Sequence, residues 1–160
     1  MGSRDVDTFN VEAGAVPIDT TGAAVTGDYV SLKNYGRLVI TVLQGAWAGG
    51  TPAVTLKQAL TVAGGSKKAL AFTKMWTKTG LTGTTFTKTA VTSNTFNLTA
   101  TANSVTVMVV NVEDLDVDGG FDCVRVGVAS PGSNADLIAA HYMLLDPRYP
   151  QNVMTDAKVD

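Results

Sequence analysis

The sequence predicts an all-β chain built as a sandwich of short strands. Three observations carry this. Gly, Thr and Val are abundant while only 16% of residues are charged, a composition suited to half-buried strands rather than solvated helices. Strand-like runs of five to nine residues recur along the chain, punctuated by Gly, Ser, Asn and Pro, at the spacing of a sandwich. At 160 residues the chain is long enough for one core and one domain.

Residues 1–27 show neither a period of 2 nor one of 3.6, and Gly14, Pro17, Gly22 and Gly27 interrupt them. The segment reads as an arm, and its removal is expected to leave the sandwich folded. Phe9, Val11, Val16 and Ile18 give it apolar handholds. It is either a frayed terminus or a strand that adds to a neighbour's sheet edge. Residues 28–146 form the sandwich. In Arg37–Gln44, Leu38, Ile40 and Val42 alternate with Arg37, Val39, Thr41 and Leu43, and apolarity on both faces marks a central strand. Gly45–Pro52 is a loop that displays Trp47.

Strands follow at Val54–Leu60, Leu70–Lys78, Thr84–Lys88, Thr95–Thr99 and Val105–Val112. Within Leu70–Lys78 the alternation places Leu70, Phe72, Lys74 and Trp76 on one side, as in an edge or interface strand. The Thr-rich segment 80–101 reads as an extended hairpin. Leu137–Leu145 is the last core strand, with Ile138, Ala140, Tyr142 and Leu144 on one face; a helix is the alternative, because Ala, Leu and Met favour one. Pro147 and Pro150 end regular structure, and residues 147–160 form an exposed tail that shows Arg148 and Tyr149.

The acidic connection between the last strands, Asn111–Ala129, tests for a metal. Asp114, Asp116, Asp118, Gly119 and Asp122 follow the first half of a calcium-binding EF-hand loop. Arg125 stands where the bidentate Glu is required, and the flanks are β-branched. This excludes an EF-hand and leaves a different calcium site at these four aspartates as a minor alternative. The main reading is a solvated turn or short helical turn anchored by Leu115, Val117 and Phe121.

No catalytic constellation is visible, and the expectation is a protein that is not an enzyme and needs no cofactor. His141 is the single histidine, in an apolar run without a nucleophile motif. Cys123 is the single cysteine, so no internal disulfide or sequence-local zinc site forms. Phosphate-binding glycine motifs are absent. The six lysines at 57, 67, 68, 74, 78 and 88 are scattered and the pI is near 5.2, which argues against nucleic acid as a partner. No run reaches the roughly 18 apolar residues of a membrane helix, so no membrane partner is expected. The lone cysteine and the start without a basic and apolar leader predict folding in a reducing cytoplasm.

Charge is segregated. Residues 1–28 hold five acids and one base, residues 29–112 no acid and eight bases, and residues 113–160 nine acids and three bases. Folding either mixes these on one surface or leaves basic and acidic faces through which copies of the chain, or a partner, dock by complementarity.

The segments DYVSLKNY at Asp28–Tyr35, the strand Leu38–Leu43, EDLDVDGGFDCVR at Glu113–Arg125 and LLDPRYP at Leu144–Pro150 resemble small structural proteins of tailed bacteriophages, the head decoration or cement proteins. The resemblance covers nearly the whole chain. It implies a jelly-roll-like β-sandwich with extended arms that binds the major capsid protein on the virion exterior as a homo-oligomer, a dimer or trimer, after synthesis in the bacterial host cytoplasm. It hands over no contact residues, so the contact set expected here comes from exposure-prone positions: Phe9, Val11, Val16, Ile18, Trp47, Trp76, Arg148 and Tyr149. A head–tail connector or tail component is the alternative within this class. A calcium-dependent carbohydrate-binding sandwich, stacking sugars on Trp47 and Trp76, is the alternative outside it.

Overall fold

A computed structural model describes residues 9–149 and 156–158. They form β1 (Phe9–Asp19), β2 (Val25–Thr26), β3 (Val30–Ser31), β4 (Tyr35–Trp47), β5 (Ala53–Ala59), β6 (Lys68–Ala69), β7 (Lys74–Lys78), β8 (Thr87–Ala90), β9 (Thr95–Asn97), β10 (Val105–Asn111), β11 (Cys123–Val128) and β12 (Asp136–Pro147). Every pairing is antiparallel. The long-stranded sheet runs β1-β12-β4-β10-β7-β8, and the short-stranded sheet β2-β11-β5-β6, with β3 also on β11 and β9 also on β5. With β2 and β3 taken as one interrupted strand, and β6 and β9 as another, this is the strand order of a jelly roll. The β7–β8 hairpin widens its long sheet by two strands.

The core lies between the sheets. From the long sheet come Leu38, Ile40 and Val42 of β4, Met108 and Val110 of β10, and Ile138, Ala140, Tyr142 and Leu144 of β12. Val54 and Leu56 of β5 and Val124, Val126 and Val128 of β11 oppose them. Burying each aliphatic side chain contributes about 1.5–3 kcal/mol. As the alternation indicated, β4 is central, flanked by β12 and β10, and the run beginning at Leu137 is a strand, not a helix.

The sheets are tied by Tyr142. Strand β11 pairs with β2 at Gly127–Val128 and with β3 at Cys123–Val124, so the Val126 N–H has no β2 or β3 partner on that side. The Tyr142 hydroxyl reaches across the sandwich, accepts this N–H at 2.9 Å and donates to the Asp28 carbonyl at 3.1 Å. Burial holds the phenol well above its ordinary pKa. Two glycines make room for it. A Cβ on Gly14 would stand 2.7 Å from the Tyr142 ring, and one on Gly27 would stand 2.9 Å from the hydroxyl and 2.8 Å from the Val126 carbonyl.

Four expectations are corrected. Residues 9–19 of the expected arm are the edge strand β1, paired to β12 from Phe9–Leu145 to Asp19–Leu137. Register shifts between Ala13 and Ala15 and between Ala15 and Ile18 destroy the alternation that would have revealed it. Residues 1–8 of that arm lie outside the described residues. The run Leu70–Lys78 is not one strand. Leu70 and Phe72 are buried as the chain crosses between sheets, and the inward phase then passes to Met75. Segment 80–101 is not a hairpin, because β8 pairs with β7 and β9 pairs with β5 of the other sheet. In the C-terminal tail, Ala157 is buried; its N–H donates to Glu12 at 3.1 Å and its carbonyl accepts from Ser31 at 2.8 Å. Residues 150–155 and 159–160 of the tail lie outside the described residues.

Candidate functional site

The acidic connection from Asn111 to Asp122 begins with a single 3-10 turn at Val112–Asp114. The Asp114 carboxylate accepts the Asn111 N–H at 2.8 Å, a reciprocal cap. The Asp116 carboxylate accepts the Gly119 N–H at 3.1 Å and is ion-paired with Lys68, whose ammonium also lies 4.1 Å from the Phe121 ring centroid. The hydrogen bond from Lys68, then that from Gly119, hold the Asp116 carboxyl below the usual carboxylate range. Asp122 faces the Cys123 thiol at 3.1 Å. Among the described residues, no three His, Cys, Asp or Glu side chains converge as a metal site, so Asp114, Asp116, Asp118 and Asp122 are not brought together. Leu115 is buried and Phe121 half-buried, but Val117 is 50% exposed and does not anchor the turn.

The outward face of the long sheet is different in kind. The register aligns rows across neighbouring strands: Phe9–Leu145–Arg37–Asn111, then Val11–Met143–Val39–Val109, then Ala13–His141–Thr41–Val107–Trp76–Lys88, then Ala139–Leu43–Val105–Lys78. Most of these side chains are apolar, and none of them packs in the core. Val11 is 40% exposed and Leu43 44% exposed. A shallow apolar depression lies among Trp76, Phe86 and Val107, and a second among Pro17, Leu43, Leu137 and Ala139. His141 sits mid-face between Ala13 and Thr41. The formal charges in these rows and at the β7–β8 side are basic: Arg37, paired with Asp146 at 3.1 Å, and Lys74, Lys78 and Lys88; at the β1 edge the charge is Asp19, opposite Leu137.

Of the expected contact residues, Val11 and Trp76 share this face, with Lys88 6.0 Å from the Trp76 ring centroid. Phe9 lies at its corner opposite Leu145, the end at which Arg148 and Tyr149 are exposed. Val16 and Ile18 are exposed on the bulged half of β1. Trp47 is apart from all of these. It ends β4, which runs on to Trp47 where a loop from Gly45 was expected, packs partly on the core and donates from Nε1 to the Gly50 carbonyl at 3.1 Å; the turn that follows is held by Asp136, whose buried carboxylate accepts the Ala48 N–H at 2.7 Å. The face residues Val39, Leu43, Val105, Val107, Val109 and Met143 were not singled out from sequence. Their signal was two-sided apolarity, which in a two-layer sandwich marks an outer face to be covered as well as a central strand.

Beside the β7–β8 hairpin the sandwich opens into a cleft of ≈ 710 Å³, lined by Thr hydroxyls together with Met75, Phe96 and Asn97. Among the described residues, no ionisable side chain lines it.

The sequence matches no protein-family profile and no curated protein. Among solved structures the fold is similar to the SPBc2 prophage-derived protein YomS, at 11% identity over 86% of this chain and 93% of that one, with a TM-score of 0.48. It is also similar to the subunit of Bacillus endospore appendages, disulfide-linked pili, at 14% identity over 92% of this chain and 96% of that one, TM-score 0.40. A third similarity is to the protein of infectious bursal virus-derived T=1 particles, at 14% identity over 92% of this chain and 42% of that one, TM-score 0.27.

Proposed function

We propose that this chain is a virion structural protein, a head decoration protein that binds the major capsid protein on the capsid exterior and performs no catalysis. The observation that carries the reading is the open edge of the long sheet. Among the described residues, strand β1 is paired on one side only, to β12, and it displays Val16 and Ile18 on its bulged half. An exposed apolar edge invites strand addition unless it is meant to be occupied. The sequence resemblance to decoration proteins supplies the partner, and Arg148 and Tyr149 at the Phe9 corner extend the contact.

Quantitative mass spectrometry and cryo-microscopy of purified virions test this. Hundreds of copies per head on the outer surface are expected. A handful of copies, or a position only at the head–tail junction or in the tail, overturns decoration in favour of a connector or tail role. A carbohydrate-binding reading draws support from the Thr-lined cleft rather than from the acidic turn; a glycan panel read by calorimetry, with and without calcium, tests it.

A further inference from the structure

We infer that the outward face of the long sheet is covered by the same face of a second copy of this chain, related by a two-fold axis parallel to the strands. The inference concerns the face, not the β1 edge, and does not rest on capsid attachment.

Area favours a specific contact. Six strands spaced about 4.8 Å apart span about 24 Å, and the seven residues of β10 at about 3.4 Å each span about as much. The projected face is on the order of 600 Å². Side-chain relief raises the accessible area toward the roughly 800 Å² per partner of a standard interface. Its middle, the rows through Val39, Val109, Leu43 and Val105, is apolar and rimmed by polar and charged residues, the arrangement of an interaction surface.

Charge selects the occupant and the axis. On this side β1 presents Asp19, opposite the exposed Leu137, and no base, whereas Glu12 lies opposite the buried Tyr142 and is turned to the Ala157 N–H; β7 and β8 present Lys74, Lys78 and Lys88 and no acid. The face therefore carries an acid at its β1 edge and bases at its β7–β8 edge. A two-fold axis parallel to the strands lays the acidic edge of each copy against the basic edge of the other, twice. An axis across the strands sets lysine edge against lysine edge. The parallel axis also keeps the two lysine edges about 24 Å apart, beyond the screening length of about 8 Å at physiological salt. An isologous contact of this kind closes at two copies.

Sedimentation velocity of the full chain at micromolar to high-micromolar concentration tests the inference. The protomer is 16.6 kDa, and a species of twice that mass is expected. Leu43→Glu, at an exposed position, is expected to keep the circular dichroism of the wild type, to match its melting only at concentrations too low for the dimer, and to weaken the dimer at least about a hundredfold, because it buries an unpaired carboxylate. Lys78→Glu with Lys88→Glu is expected to weaken it about tenfold and to remove its salt sensitivity. A monomeric wild type overturns the inference, as does a dimer indifferent to Leu43→Glu. Continued growth to rings or filaments, the mark of edge-to-edge addition, overturns it too. A dimer tightened by the double lysine reversal overturns the parallel axis.

Discussion

Replacing Tyr142 by Phe removes one oxygen and isolates the tie between the sheets. The hydroxyl accepts from Val126 N–H at 2.9 Å and donates to the Asp28 carbonyl at 3.1 Å. The Asp28 carbonyl loses its donor from a part-buried bond; Val126 is buried, and its N–H is left without an acceptor. An unsatisfied buried amide costs about 1–3 kcal/mol. The ring keeps its packing, since Gly14 still accommodates it, so no cavity term is added. At about 2–4 °C per kcal/mol for a chain of this size, Tyr142→Phe is expected to lower the melting temperature by about 2–12 °C in scanning calorimetry. Amide exchange at Val126 is expected to speed up more than at Val124, whose pairing to β3 is untouched. The phenol's pKa is raised by burial. Above about pH 10 the unfolded chain therefore releases a proton that the folded chain keeps, so stability is full below that pH and falls as pH rises beyond it. Tyr29, also raised by burial, adds in the same direction. The variant is expected to lose stability less steeply in alkali than the wild type. A melting shift under about 1 °C, or an unchanged alkaline slope, refutes the role assigned to this hydroxyl.

Gly14→Ala forces a methyl to 2.7 Å from the Tyr142 ring, and equilibrium urea unfolding is expected to show a loss of about 1–3 kcal/mol with an unchanged m-value. Deleting residues 1–19 removes β1, bares the β12 edge and takes the Gly14 contact from Tyr142; the truncated chain is expected to aggregate or to melt well below the full chain by light scattering and circular dichroism, where a dispensable arm would leave both unchanged. Lys68→Ala frees the Asp116 carboxylate and uncovers Phe121, and hydrogen exchange across residues 112–122 is expected to accelerate while the global melting temperature holds. Because Asp116 has its pKa lowered first by Lys68 and then by the Gly119 N–H, this local protection is expected to be present at neutral pH and to fade in acid as the carboxyl protonates, and to fade less in the variant.

The parts of the fold legible in the sequence are those where one physical rule acts alone. Strands β4 and β10 pair without a register shift, and β12 pairs with β4 without one from Ile138 onward, so the two-residue alternation of buried and outward side chains survives in Leu38, Ile40, Val42 and in Ile138, Ala140, Tyr142, Leu144. Legibility fails where the chain changes sheet or slips register. Strand β1 is bulged twice, and its buried Gly14 carries no hydrophobic signal, though it is the contact that seats Tyr142. Between Phe72 and Met75 the chain leaves one sheet and joins the other, and the phase of burial changes with it.

The candidate surface was hidden by a different ambiguity. Apolarity on both faces of β4 and β10 is what a strand covered on both sides requires, and sequence does not say whether the second cover is the same chain or another molecule. The structure resolves half of that question: the jelly roll covers the inner face, and none of its described elements lies over Val39, Leu43, Val105 or Val109. Charge segregation answers the other half in the same terms. The basic middle of the sequence supplies the β7–β8 edge and the acidic start supplies β1, so the chain's linear charge pattern becomes a lateral one across the sheet. A surface that is apolar at its centre and opposite in charge at its two edges is complementary to itself under one rotation.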